Sequence, residues 1–463
     1  MPKIILGLEQ NQAKQPIGFV QRQPKPADTP LITHEEGHLL TVASTGAGKG
    51  VSCIIPALLT YTGQTIVIDP KGENYAVTAD QRRKMGHKVI CIDPFNITQQ
   101  ETRDSLSPYC LFTGDSDQDL DTAIELTELL YNDMNTGEDD SFWNNSAKSL
   151  ITALIMYSYQ ESPPALQNLQ EVQHLTSQPE NDFAYTMKQI SNANNPDIRS
   201  MASVYKSAVI KTSLCILATA RASLEFLRGK SVGEATCHTS FNTDEFIAGA
   251  PISIYLVIPP EKLDSHSPLL RLWIGTLLGL LLRRRHPIHQ PTLFLLDEAA
   301  QLGKLSLFTK AITLLRGYSV RIWSFWQDLS QLQDLYKKDW QTIYNNCSTH
   351  QFFGIRTGLA ARTIADVTGF ISPESLMELG SKEMWTSASC NKPRVIRRFN
   401  YLECPELSAL ASPNPYYHQP EPGEPQPEPE PYRDYPSIGS VGTAPETTRA
   451  EPDCEISSQI SDS

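Results

Sequence analysis

At 463 residues, of which 40% are hydrophobic, the chain exceeds the size at which one hydrophobic core keeps growing, so more than one domain is expected. A net charge of −13 does not suggest a globally basic nucleic-acid binder, and nine cysteines without a C-x-x-C pair argue against a zinc ribbon or a disulfide framework. A reducing, cytoplasmic setting fits best.

Residues 1–30 read as an N-terminal extension without the apolar core and cleavage site of a signal peptide. From residue 31 the chain gives "HLLTVA", a helical pattern over 48–61, "TIVIDP", a helix over 73–85 and "KVICIDPF". From 105 to 228 the pattern changes. "TAIELTELLYNDM", "FWNNSAKSLITALIMYSYQ" and "VYKSAVIKTSLCILATARASLEFL" place apolar residues at steps of three and four, which predicts an inserted all-α domain. Residues 229–411 resume the earlier alternation: "PISIYLVIPP", an apolar helix over 269–285, "TLFLLDEAA", a helix over 305–316, "SVRIWSFWQ" and "THQFFGIRT". Apolar strands separated by helices predict a parallel sheet covered on both faces, so 31–104 and 229–411 form one α/β nucleotide-binding domain. The apolar run at 269–282 is broken by Arg271 and falls short of the roughly 20 residues a bilayer needs, so it reads as a helix buried against the sheet.

Residues 412–463 hold eleven of the 33 prolines and ten acidic residues against Arg433 and Arg449. They cannot bury enough apolar surface to fold and are expected to be a disordered, solvating tail. The tail carries much of the negative charge, and the remaining body is only mildly acidic.

The chemistry centres on "VASTGAGKGVS", residues 42–52. A phosphate loop needs free backbone N–H groups, a helix N-terminus aimed at the charge and a lysine. Ser44, Thr45, Gly46, Ala47 and Gly48 supply the loop, Lys49 the cation, and Gly50 and Val51 the start of the helix. Two letters depart from G-x-x-x-x-G-K-[ST]: Ala43 stands at the first glycine and Gly50 at the final hydroxyl. Ser52 cannot take over the hydroxyl, because two residues further along a helix point roughly 200° away. Water is expected to fill that magnesium position. "TLFLLDEAAQLGKL" ends an apolar strand on Asp297, suited to hold Mg2+, and Glu298, suited to orient the attacking water, although such a pair also caps helices. Gln327, ending "SVRIWSFWQ", either senses the γ-phosphate or faces solvent. The joint pattern is that of an ATPase using ATP and Mg2+.

These stretches, together with "DPKGE" at 69–73, "FWNNSAKSLITALI" and "DLSQLQDLY", closely resemble the type IV coupling proteins of conjugation and type IV secretion, the TraG and TraD type, over about residues 38–407. The resemblance implies a RecA-like P-loop motor related to FtsK and HerA, with the all-α insertion used for substrate recognition. It further implies a homo-hexameric ring that hydrolyses ATP and delivers a relaxase-bound DNA strand or an effector protein to the channel. Lys49 matches the phosphate-binding lysine, Asp297 the magnesium-associated aspartate, Glu298 the catalytic glutamate and Gln327 the glutamine beyond it. Arg316 matches the arginine supplied to a neighbouring subunit, with Arg321 and Arg356 as weaker matches. Trp143, Asn144 and Asn145 match a family motif in the insertion, where a tryptophan at the start of an amphipathic helix also has a plain packing role. Family members usually begin with two transmembrane helices, which this sequence lacks, so recruitment to the cytoplasmic face of the inner membrane through a partner is one expectation. The rival readings are a soluble FtsK/HerA-like DNA pump and a catalytically weak, nucleotide-binding cargo adaptor.

Overall fold

The computed structural model describes residues 4–9, 31–34, 36–131, 138–388 and 391–417. The tail beyond 417, and with it the expectation of disorder there, lies outside the described residues.

The chain begins with β1 (Ile4–Leu8), β2 (Leu31–His34) and β3 (His38–Ala43), then a π-helical turn (Gly50–Ile54) that runs into α1 (Ile55–Thr60). β4 (Thr65–Ile68), α2 (Glu73–Lys84) and β5 (Lys88–Ile92) follow. A helical stretch comes next: α3 (Ser116–Leu130), α4 (Glu138–Gln160), α5 (Leu169–Ser177), α6 (Glu180–Ile190), α7 (Pro196–Ser207), α8 (Ile210–Leu224), α9 (Lys230–Thr236) and α10 (Thr243–Ala248). The remainder is β6 (Ile252–Leu256), α11 (Pro260–Leu282), β7 (Thr292–Leu296), α12 (Ser306–Leu314), β8 (Val320–Trp326), α13 (Leu329–Tyr336), α14 (Trp340–Asn346), β9 (Cys347–Phe353), α15 (Gly358–Thr368), α16 (Pro373–Met377), β10 (Glu383–Ala388), β11 (Asn391–Arg398) and α17 (Pro405–Ser408).

The strands form one 11-stranded sheet in the order β2-β1-β11-β10-β9-β3-β8-β7-β4-β6-β5. From β9 to β5 every neighbouring pair is parallel. β3 and β7 do not touch, because β8 lies between them, and this order sets the geometry of the site below.

The parallel strands read as continuous apolar runs because both faces are covered. Along β3, Leu40 and Val42 join a core shared with α11 and the helical insertion, while Leu39 and Ala43 join a second core with Ala57 and Leu58 of α1 and Tyr61 just after it. The other end of the sheet departs from an all-parallel reading: β10, β11, β1 and β2 extend it in antiparallel fashion from β9. Strand β1 comes from the expected N-terminal extension.

Helix α11 starts well before its apolar run. Pro260 occupies its first turn and Pro268 lies inside it, and residues 269–281 are almost entirely buried. It is the one helix among the described residues long and apolar enough to cross a membrane, and 67% of its apolar window is buried inside the protein. The inserted helices press on it closely: a Cβ on Gly275 would lie 2.4 Å from Leu129 Cδ1 of α3. Trp143, on α4, packs against the same core, while Asn145 is exposed.

Candidate nucleotide-binding site

At the carboxyl ends of the parallel strands lies a cleft of about 380 Å³. This is where an open α/β sheet leaves room for a ligand, since loops on opposite faces separate there. Thr45, Gly46, Gly48, Lys49, Gly50 and Val51 line it from the loop after β3. Asp297 and Glu298 line it from the end of β7, and Gln327 from the end of β8.

Local conformation explains the loop's sequence. Gly46 and Gly48 adopt φ of +74° and +89°, the left-handed region in which a side chain is strained. Ser44 and Ala47 do not face the cleft; they brace the loop from behind. Ser44 Oγ donates to the Gly354 carbonyl at 2.6 Å, and a Cβ on Gly354, itself at φ +63°, would sit 2.4 Å from Ala47 Cβ. Ser52 is buried and does not line the cleft.

Opposite the loop, Lys49 Nζ lies 3.7 Å from Glu298 Oε2, and Gln327 Nε2 donates to Glu298 Oε1 at 2.8 Å. Because β8 lies beside β7, Gln327 just past its end reaches one oxygen of Glu298 while Lys49 faces the other. Glu298 has φ +65° and ψ 56°, a left-handed conformation rare for a residue with a side chain, and strain of this kind marks functional positions. Burial pushes the Asp297 carboxyl up to about 6; Lys49 opposes the shift, while Glu298 and Glu73 add to it. Deeper still, burial pushes Asp69 up to about 7, although it accepts from Tyr75 N–H at 2.8 Å. Among the described residues no group of three or more His, Cys, Asp or Glu could by itself hold a metal. Magnesium does not need one, since it keeps several waters and takes one or two carboxylates plus phosphate oxygens. Asp297 beside a phosphate loop fits that requirement.

Arg316 is not brought to this cleft. It follows α12 and precedes β8, at the opposite end of the sheet from the phosphate loop, roughly 20 Å away over the seven residues of β8. There it is exposed and bonds Glu36 at 2.7 Å. Arg356 is exposed after β9, whereas Arg321 is buried within β8 and cannot be presented to another subunit. Several cleft residues went unassigned in the sequence: Asp69, Pro70, Lys71, Glu73 and Asn74 from the β4–α2 turn, Pro260 and Leu263 from α11, Gln301, and Tyr417. The "DPKGE" stretch after a core strand was the available signal for the first group; nothing marked Tyr417.

Sheet order and cleft together give the chain a RecA-like P-loop fold. The chain belongs to the type IV secretory system conjugative DNA transfer family, whose model matches residues 9–375. It is similar to the conjugal transfer protein TraG of Agrobacterium fabrum, 27% identical over 310 residues that cover 65% of this chain and 45% of that protein. It is also similar to the type IV secretion system-coupling protein VirD4 of Bartonella quintana, 24% identical over 370 residues that cover 76% and 56% of the two chains. The chain thus spans about half the length of these curated relatives. Among solved structures, plasmid coupling protein TrwB in complex with the ATP analogue ADPNP superposes with a TM-score of 0.60 at 15% identity, covering 78% of this chain and 84% of that one. This likeness speaks for the fold.

Proposed function

We propose that the chain is an ATP-hydrolysing coupling protein that recruits a relaxase-bound DNA strand or a protein substrate and drives it into a type IV secretion channel at the cytoplasmic face of the inner membrane. The observation that carries the reading is the convergence of Lys49, Asp297, Glu298 and Gln327 on one cleft framed by the phosphate loop.

Each side chain has a task set by its position. The N–H groups of the loop and the start of the following helix bind phosphate oxygens, and Lys49 neutralises the terminal ones. Asp297 would hold magnesium, which would supply positive charge to neutralise the phosphate oxygens. In the free protein Lys49 is held by Glu298; a phosphate that draws Lys49 away leaves that carboxylate, still fixed by Gln327, to orient water and accept its proton. The Glu298–Gln327 bond thereby ties the reacting end of the nucleotide to the end of β8, whose other end carries Arg316. In a homo-hexamer joined head to tail, Arg316 reaches the next subunit's cleft and stabilises charge there.

ATP turnover by the full chain, with and without single- and double-stranded DNA, tests the reading. Lys49→Ala should lose nucleotide binding, and Glu298→Gln should bind ATP yet turn over ~10²-fold or more slowly. If wild type is no faster than both variants at ring-forming concentrations, the motor reading fails and a nucleotide-binding adaptor remains.

A further inference from the structure

The phosphate loop has a second cation, and it comes from the far end of the chain. Arg398 is the last residue of β11, two strands removed from β9 in the antiparallel extension. Its Nη1 donates to the carbonyl of Ala47, inside the phosphate loop, and its Nη2 donates to the carbonyl of Ser381. The guanidinium lies over the Phe353 ring, 4.6 Å from its centroid, at the end of the strand beside β3. A Cβ on Gly48 would be 3.6 Å from Nη1, so the charge rests directly against the glycine that precedes Lys49.

Its electrostatic position is unfinished. No carboxylate pairs with Arg398 among the described residues, and its Nε–H is buried without a hydrogen-bond partner. Half-buried charges are ordinarily neutralised by an ion pair, because desolvation is costly. The nearby arginine Arg397 has such a partner in Glu403 at 3.8 Å, whereas Arg398 turns to the phosphate loop and meets uncharged groups, two carbonyl oxygens and the Phe353 ring.

We propose that Arg398 is a positioning residue for the nucleotide, one that sets the phosphate loop through the Ala47 carbonyl and leaves an uncompensated positive charge that bound phosphates complete. The inference rests on the reading of this cleft as an ATP site. Two carbonyls are bridged at once by the fork of a guanidinium, which a lysine cannot reproduce. The charge strengthens binding of any phosphate in the loop, in the ground state and the transition state alike. Its loss should therefore appear in affinity and KM rather than in kcat.

The test compares full-length wild type with Arg398→Met, which keeps an unbranched apolar stem over Phe353, and Arg398→Lys, which keeps the charge. Readouts are ADP binding with magnesium, steady-state ATP turnover, and the thermal midpoint with and without ADP. The expected result is an ADP Kd and ATP KM raised ~10-fold in Arg398→Met with kcat within about twofold, a smaller rise in Arg398→Lys, and a reduced ADP-induced thermal shift. A fall in the nucleotide-free midpoint with Kd and KM unchanged would make Arg398 a structural brace only and overturn the proposal. If Arg398→Met binds ADP as tightly as a wild type that binds it, this inference alone fails. If wild type binds no ADP, the ATP-site reading falls and takes the inference with it.

Discussion

Gly50 stands where a hydroxyl would normally join the metal, at the first residue of the π-helical turn. A Cβ built there meets no heavy atom within 4 Å, so a larger residue fits without repacking. Gly50→Ser should therefore fold normally, with a small gain in helix propensity, and should lower the magnesium concentration for half-maximal turnover by roughly threefold or more. A magnesium titration identical to wild type would show that the hydroxyl position is not a metal position in this protein. At this scale the sequence was informative where a residue type has little other use. Lys49 after a glycine-rich turn and the Asp297–Glu298 pair after an apolar strand carry their chemistry in their spacing. The left-handed backbone of Glu298 and the reach of Arg398 to Ala47 depend on tertiary approach, and no local pattern announces either.

Secondary-structure elements were legible in proportion to how completely they are buried. Strands β3, β4, β6, β7 and β8 are buried along their whole length, and their predominantly apolar runs state it. Strand β11, "NKPRVIRR", carries four basic residues, and Pro393 sits where its pairing with β10 shifts register, so it does not look like a strand. The first two turns of α11 were hidden by Pro260, Pro268 and the polar residues between them. Burial of elements also governs behaviour in acid. Near the start of β3 and along β9, burial lowers His34 to about 3, His38 to about 4 and His350 to about 4, with the Arg321 charge adding to the first two. The native forms are neutral: His34 Nε2 donates to the Gly37 carbonyl at 3.1 Å while Nδ1 accepts from Thr349 Oγ1 at 2.9 Å. A depressed histidine pKa gives a stability that is complete above the unfolded value near 6.5 and is lost as pH falls toward 4. His34→Asn, whose amide can serve both partners, should remove about one proton from the pH dependence of unfolding free energy between pH 6.5 and 4.5. Denaturant titrations with the same slope in variant and wild type would refute that account.

For the whole molecule, the decisive fact is that Arg316 and the phosphate loop occupy opposite ends of the same parallel strands. One copy cannot bring them together, so if Arg316 serves catalysis it serves a neighbour's site. Arg316→Ala subunits mixed with Lys49→Ala subunits, each kind inactive alone, should then recover turnover, since a Lys49→Ala subunit still presents Arg316 to a neighbour's intact cleft. The salt bridge to Glu36 joins two largely exposed side chains and contributes little by itself, so Arg316→Ala should leave the thermal midpoint nearly unchanged. No recovery of activity on mixing would remove the role across the interface.

The position of β3 in the sheet has a consequence for how the protein comes into being. Both of its neighbours, β8 and β9, arrive from much later in the chain, and the buried bond from Thr41 to Gln351 closes a separation of 310 residues. During synthesis the phosphate loop therefore emerges early, attached to a strand whose two edges stay unpaired until most of the polypeptide has been made. Contacts of such high order form slowly, and an exposed apolar edge invites the wrong partner in the meantime. The cleft is among the last features to assemble, and a ribosome that stalls before residue 320 releases a chain with every letter of its phosphate loop and no cleft around it.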